Sequence, residues 1–430
     1  MGNHQSQEPV PSAITSHLSQ KAKTKLSEQR PSLKQLFSNH HHQQQKKKKI
    51  NADDQCPTPS SLSSHSCSLS AEYTMINGRK YIHTPQSFYF LPCDEDESDR
   101  LIVLHFLLKY AFGGNYISPV RSLLQGSFYD RPKVLDIGTG AGTWILEMAS
   151  EFPSTDFYGI DIATMYPSAI KPNNAYFQQH DMMDGLPFED ESMDFIFMRQ
   201  MMTSMTRPQL IQILSEIARV LKPNGYLEIV DVEYQIQRPG PVSAALMNHD
   251  LKEKLKSEGI DFELCTQLST LLMTTQTTKG GFVDTRQQRM TMPLGWGGHL
   301  ADLHATSLSQ YLKSLHPSVT SAIRTTKQLS TWSPPCMEHT TTNLLTDAAI
   351  QHMLAECKKY QSHLNWYAFT ARKSSSSSSS SSTTATTPIA ATAAGSKSTV
   401  YHIDKPMPPT PPLDPLEWES INSFVTGYVE

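Results

Sequence analysis

The stretch Val134-Leu135-Asp136-Ile137-Gly138-Thr139-Gly140-Ala141-Gly142-Thr143 puts a buried strand, a carboxylate and a glycine turn within ten residues. Val134, Leu135 and Ile137 around Asp136 read as a strand core, and the glycines leave out the Cβ atoms that would keep a ligand from the backbone. A helix is expected over about Trp144 to Ser150. Strand, tight turn and helix in this order suit a nucleotide-like ligand, the lesser alternative being a turn that is only a tight connection. A dinucleotide fingerprint needs a glycine at position 143, where Thr143 stands. A phosphate-cradling loop needs a lysine after Gly142, and none follows.

Downstream, Asp156-Phe157-Tyr158-Gly159-Ile160-Asp161-Ile162 reads as a second strand ending in a carboxylate, nineteen residues beyond Gly142. An acid there can accept two hydrogen bonds from a ribose diol. Together, the apolar-apolar-Asp-apolar-Gly-x-Gly-x-Gly run and Asp161 resemble the cofactor motifs of class I S-adenosylmethionine-dependent methyltransferases. The resemblance implies Gly138, Gly140 and Gly142 beneath the amino-acid portion of S-adenosylmethionine, with Asp136 helping to position it. It places Asp161, with Ile162 beside it, at the ribose. In Gln179-His180-Asp181-Met182-Met183-Asp184 it places Asp181 at the adenine amino group and Met182 as backbone amide and apolar wall. Asp184 remains the alternative to Asp181, and either can cap the following turn.

Ser192 to Arg199 resembles the family's fourth strand, with Met198 assigned to the cofactor pocket and core packing as its alternative. Met198-Arg199-Gln200-Met201 stands where base-amine methyltransferases carry Asn/Asp-Pro-Pro-Tyr/Phe, which disfavours that substrate class. Leu210, Ile213, Leu214, Ile217, Val220 and Leu221 recur at helical spacing over 207–221, with Thr206 as N-cap and Pro208 in the first turn. Lys222-Pro223-Asn224-Gly225 ends that helix ahead of a fifth strand, Tyr226 to Asp231. Phe282 to Thr285 and Asn365 to Arg372 are candidates for the last two strands, the latter inserted antiparallel. The glycine-rich Pro293 to Leu300 is expected as a loop near the acceptor. The fold expected is α/β, a three-layer, doubly wound, mostly parallel seven-stranded sheet.

The 430 residues have only 38% hydrophobic content, which points to one folded region between two poorly ordered ends. Residues 1–71 are rich in Ser, Gln, His and Lys and carry nine Lys/Arg against four Asp/Glu, so a basic tail precedes an acidic body. Residues 72–373 are expected to fold: 72–130 as a helical lid, 131–235 as the cofactor-binding core, and 236–373 as acceptor-side helices and last strands. As a lid this segment would touch the cofactor through Tyr89 or Arg100; the alternative is a helix that merely packs on the sheet. The Ser/Thr/Pro-rich stretch 374–430, with serines at 374–382, is expected without order.

Six scattered cysteines without a Cys-x-x-Cys pair predict neither zinc nor a disulfide framework, and hence no metal. No secretory leader or membrane-spanning run is apparent, so a soluble cytoplasmic protein is expected. Met1-Gly2-Asn3-His4-Gln5-Ser6 fits N-myristoylation at Gly2, and Lys46–Lys49 supply the second signal that stable attachment to a membrane needs. The same lysines read alternatively as a nuclear import signal or a solvated run. An acidic body disfavours nucleic acid.

Ahead of the glycine turn, Arg79-Lys80-Tyr81 and Phe88 to Pro92 precede the acidic cluster Asp94 to Asp99 and a helix from Arg100 to about Phe112, an order that resembles a fungal subgroup of this family that includes relatives of secondary-metabolism regulators. The resemblance implies methyl transfer from S-adenosylmethionine to a small molecule or a protein side chain. The rival is a non-catalytic regulator that keeps the fold. Glu233, Tyr234, His180 and His249 are candidates for a base or orienting group, and none stands out as catalytic.

Overall fold

The computed structural model describes residues 72–83, 88–127, 129–277, 280–320, 345–375 and 401–406. Gly2, Lys46–Lys49 and most of the serine run lie outside the described residues.

The described residues form two sheets. β1 (Glu72–Ile76), β2 (Arg79–His83) and β3 (Phe88–Pro92) form an antiparallel three-stranded sheet ahead of helix α1 (Glu95–Phe112). The acidic cluster belongs to that helix. Asp94 caps it by accepting from the Glu97 amide, and Glu95, Asp96 and Glu97 fill its first turn, where carboxylates oppose the positive end of the helix. Arg79 donates twice to Asp94 at 2.7 Å, tying the small sheet to the start of α1.

The large sheet contains β4 (Lys133–Ile137), β5 (Asp156–Asp161), β6 (Ala175–Gln179), β7 (Met193–Arg199), β8 (Leu221–Gln237), β9 (Gln276–Thr277), β10 (Gly280–Pro293), β11 (His363–Lys373) and β12 (Tyr401–Pro406). Its order is β12-β10-β11-β8-β7-β4-β5-β6, with β9 hairpinned onto β10. The run β8-β7-β4-β5-β6 is parallel, and β11 lies antiparallel between β8 and β10. Strand order reverses at β4, so the carboxyl ends of β4 and β7 open a crevice there.

Along β7 the side chains alternate between faces. Phe195 and Phe197 join one core cluster with Trp144 of α2 (Thr143–Glu151), whose ring stacks on Phe197 at 4.2 Å. Ile196 and Met198 join the opposite cluster, under α3 (Arg207–Val220) and α4 (Leu264–Thr274). α3 starts as the sequence predicts: Thr206 and Gln209 form a capping box and Pro208 sits in the first turn. α1, α2, α5 (His299–Ser314) and α6 (Asp347–Tyr360) contribute to the Phe195 side. The result is helices on both faces of a mostly parallel sheet.

Several elements differ from the sequence reading. β8 continues to Gln237, six residues past the expected end, because antiparallel β11 pairs with it from Tyr226 through to Gln237. β10 runs to Pro293 rather than stopping at Thr285. Its polar Arg286 to Arg289 stretch is paired on both sides, by β11 and by β12. β12 itself lies in the C-terminal stretch, where no element was expected; Asp404 there pairs with Arg289 at 3.0 Å. The loop over 294–298 does not line the crevice. Gly295 faces a separate hollow between α5 and α6, and Trp296 donates to the Ser362 carbonyl at 2.6 Å.

Candidate functional site

The glycine turn is stitched to the end of β5. The Gly138 and Thr139 amides donate to the Ile160 carbonyl at 2.9 and 3.1 Å, and the Gly140 amide donates to Asp161 at 2.8 Å. Asp161 also accepts from the Ala163 amide at 2.9 Å, while Asp136 accepts from the Thr139 hydroxyl at 2.8 Å. Gly138, Gly140 and Gly142 all have positive φ, between 55° and 74°, a region that side chains with a Cβ rarely adopt. A Cβ on Gly138 would lie 2.4 Å from Met201 Sδ, and one on Gly140 would lie 3.1 Å from Leu101.

The turn forms one wall of a cleft over the carboxyl ends of the parallel strands. It encloses about 1130 Å³ including its solvent-open mouth, enough for a cofactor-sized molecule. Asp136, Gly138, Gly140, Asp161, Ile162, Asp181 and Met182 all line it. Asp181 additionally caps the short turn that follows by accepting from the Met183 amide at 3.0 Å. Tyr89 and Arg100 line it too, and α1 brings Leu101, Leu104 and His105 beside Arg100. α1 therefore roofs the site.

Two expected residues are elsewhere. Met198 has no exposed surface and packs with Ile196, Ile213 and Leu214 in the cluster beneath α3, because strand alternation turns it away from Phe197 and Arg199, which do line the cleft. Gly142 is also outside the lining. It is the N-cap of α2 with φ 74°, and a Cβ there would come within 2.9 Å of the Phe177 ring. Its work is to turn the chain and let Phe177, stacked on Tyr166 at 4.9 Å, close on the backbone. Of the candidate bases, Tyr234 and His180 line the cleft, His180 with its Nε2 2.6 Å from the Gly185 carbonyl. Glu233 instead accepts from Asn365 and Tyr367 of β11. His249 is exposed and pairs with Asp250.

Residues distant in sequence complete the site. Tyr311 of α5 stacks on Tyr234 at 4.7 Å, and Arg100 sits 5.7 Å over the Tyr311 ring. Arg100 is bound by Glu97 through two hydrogen bonds of 2.6 and 2.8 Å, both side chains being buried, so their charges cancel. Arg199 ends β7 in the cleft, against His105. The turn after it, with Gln200 at φ 55°, is held by Asp231, which accepts from the Met202 amide at 3.0 Å.

Burial pushes the Asp136 carboxyl up to about 7, against the Thr139 hydrogen bond, and the Asp161 carboxyl up to about 6. Burial also lowers Arg199, and raises the Tyr89 and Tyr234 hydroxyls well above their ordinary value. The tyrosine end is thus neutral near pH 7, while the row Asp136, Asp161, Asp181 is the acidic wall. A cation that docks against this wall would restore full ionisation of Asp136 and Asp161. Among the described residues no group of His, Cys, Asp and Glu is arranged to hold a metal ion, and no helix is long and apolar enough to cross a membrane.

A methyltransferase-domain family model matches residues 134–225, the span from the glycine turn to the Lys222–Gly225 turn. The secondary metabolism regulator laeA of Coprinopsis cinerea is 30% identical over 159 residues, 37% of this chain and 39% of that protein. The protein-methionine methyltransferase laeA of Emericella nidulans is 29% identical over 160 residues, 37% of this chain and 40% of that protein. The secondary metabolism regulator LAE1 of Cochliobolus heterostrophus is 30% identical over 164 residues, 37% and 51% respectively. The matches thus span between 39% and 51% of these relatives' own length. A solved phosphoethanolamine N-methyltransferase 2 of Haemonchus contortus superposes with a TM-score of 0.36 at 17% identity, over 69% of this chain and 62% of that one.

Proposed function

Because the chain carries a class I S-adenosylmethionine-dependent methyltransferase domain, distantly related to the fungal laeA regulators, we propose that it transfers the methyl group of S-adenosylmethionine to an acceptor held at the Tyr89–Tyr234–Tyr311 end of its cleft. The observation that carries this reading is the row of Asp136, Asp161 and Asp181 at the carboxyl ends of adjacent strands, facing a glycine turn that a Cβ would fill.

The residues fit the cofactor's chemistry. S-adenosylmethionine carries an ammonium and a sulfonium, and the acidic wall offers opposite charge without cations interleaved in it. Asp161 has oxygens at the rim for a ribose diol, each already holding one backbone amide and with a second lone pair to spare. Asp181 and the Met182 backbone border the next segment of the cleft, where an adenine amino group and ring edge would lie.

When bound, S-adenosylmethionine supplies an electrophilic methyl on a positively charged sulfur whose leaving group is neutral. The protein's part is then alignment and exclusion of water, which together lower a barrier by roughly 7–11 kcal/mol. α1 covers the glycine turn through Leu101 and Leu104, and the Tyr234–Tyr311 stack closes the acceptor side with apolar rings. Tyrosine hydroxyls raised by burial stay neutral, so they orient an acceptor without presenting a charge to it. A soft acceptor without a proton to lose, such as a thioether, needs no base in such a pocket. The Emericella nidulans relative is named a protein-methionine methyltransferase, which favours that class of acceptor here.

The test is transfer of tritiated methyl from S-adenosylmethionine to peptides that differ only in a central Met, Lys or Arg, with the Tyr311→Ala variant in parallel. Label in the Met peptide, lost with Tyr311→Ala, supports the reading. The names of the other relatives favour a second one, a regulator. Cofactor binding without label in any peptide or in a small-molecule panel would establish that instead.

A further inference from the structure

His105 connects the roof of the cleft to its floor. On α1, His105 and Lys109 lie one turn apart and both reach Glu147 of α2: His105 Nε2 is 2.7 Å from Oε2, and Lys109 Nζ is 2.8 Å from Oε1. The other ring nitrogen, Nδ1, receives Nη1 and Nη2 of Arg199 at 3.3 and 3.2 Å. A guanidinium only donates, so Nδ1 must offer its lone pair, and the ring proton must sit on Nε2 and point at Glu147. The ring therefore works as a neutral acceptor fixed by a carboxylate behind it. Burial and the Arg199 charge both disfavour a second proton on it, consistent with that tautomer.

Arg199 is the cleft cation left to bind something. Arg100 spends its donors on Glu97, whereas no carboxylate among the described residues lies within ion-pair distance of Arg199. Its Nε and its remaining N–H groups have no acceptor among the described residues. A half-buried cation in that condition gains from an anionic ligand that enters the cleft.

Its place in the sheet says which end of the ligand it meets. Across neighbouring strands β7, β4, β5 and β6 the cleft shows Arg199, Asp136, Asp161 and then, just past the end of β6, Asp181; Arg199 and Asp161 each stand two residues further along their strands than Asp136, which pairs with Phe197 and Gly159. One cation followed by three acids mirrors a molecule with a carboxylate at one end, then an ammonium and sulfonium, then a ribose, then an adenine. We propose that Arg199 anchors the α-carboxylate of the methyl donor, and that His105, fixed by Glu147, is the positioning residue that holds the guanidinium at that end of the cleft. The inference rests on the cofactor reading of the cleft given above.

The experiment compares two ligands by calorimetry and, at millimolar concentration, by ligand-observed NMR. S-adenosylhomocysteine keeps the carboxylate; 5′-methylthioadenosine keeps adenine, ribose and thioether but lacks it. Arg199→Met is expected to weaken S-adenosylhomocysteine about 10- to 100-fold, the range for a hydrogen-bonded ionic contact, and to leave 5′-methylthioadenosine unchanged. His105→Phe should weaken S-adenosylhomocysteine in the same selective way, and His105→Gln, which keeps one acceptor and one donor, should restore part of it. Arg199→Lys serves if Arg199→Met does not fold, and should give a smaller loss with the same selectivity. Equal losses for both ligands, or no loss for S-adenosylhomocysteine, would overturn the anchor. A wild-type chain that binds neither ligand would overturn the cofactor reading, and the anchor with it.

Discussion

Cofactor affinity should rise with pH across neutrality, and the slope follows from two carboxyls. Burial holds Asp136 up to about 7 and Asp161 up to about 6, so both are partly protonated in the free protein under ordinary conditions. A ligand with two positive centres favours their ionised forms, so binding releases protons and tightens as pH rises. Treating the groups as independent, Asp136 is ionised in about nine molecules of ten at pH 8 and about one in ten at pH 6. That alone predicts a loss of about tenfold in affinity from pH 8 to pH 6, and Asp161, half ionised at pH 6, adds about twofold. Calorimetry of S-adenosylmethionine binding in buffers of different ionisation enthalpy measures both the affinity and the protons released. Asp136→Asn keeps an acceptor for the Thr139 hydroxyl, so it should bind more weakly at pH 8 yet retain only the twofold dependence. A flat profile for the wild type, or affinity that falls with rising pH, would refute the argument.

Three further outcomes separate structural from ligand-binding roles. Met198→Ala should cost about 2–5 kcal/mol in chemical unfolding, the range for emptying a buried core position, while S-adenosylmethionine affinity stays within twofold. Gly142→Ala should destabilise by about 1–3 kcal/mol, since a side chain is forced to φ 74° and against the Phe177 ring; unfolding indistinguishable from wild type would contradict that geometry. His304, which accepts from Trp366 Nε1 at 3.1 Å and lies 2.9 Å from the Pro293 carbonyl through Nδ1, is held down to about 4 mainly by burial. Its folded value is depressed, so its contribution to stability is complete above about 6.5 and is lost as pH falls towards 4; ring NMR signals that titrate near 6.5 would contradict this.

The legible parts of this molecule are those whose signal is local. The glycine turn, the Thr206 cap with Pro208 and the carboxylates at strand ends each depend on a few adjacent residues, and the structure has them where the sequence indicates. Met198 shows the limit of that approach. Phe195 to Met198 are apolar on both faces because both faces of β7 are buried, so the run carries no sign of which side meets the cleft. Arg199 breaks the run, and a charge at the end of such a strand was the available pointer to the cleft face. His105, Glu147 and Tyr311 were beyond reach, because His105 meets Glu147 only where α1 packs on α2, and Tyr311 meets Tyr234 and Arg100 only where α5 packs beside α1 and β8. The helical spacing of Leu300, Leu308, Tyr311 and Leu312 is visible in retrospect and would have found α5. The long β10 escaped because its polar central stretch, Arg286 to Arg289, carries no apolar alternation of the usual kind.

Equilibrium binding of S-adenosylmethionine to the full chain, measured beside Asp161→Ala at pH 8, tests the central claim most directly. Asp161 offers a diol two ionic hydrogen bonds and also fixes the Gly140 and Ala163 amides, so its loss should weaken binding by at least about tenfold. Saturable one-to-one binding by the wild type that drops by that factor is the predicted result. No binding at millimolar cofactor, or equal affinity for the two proteins, would contradict the account.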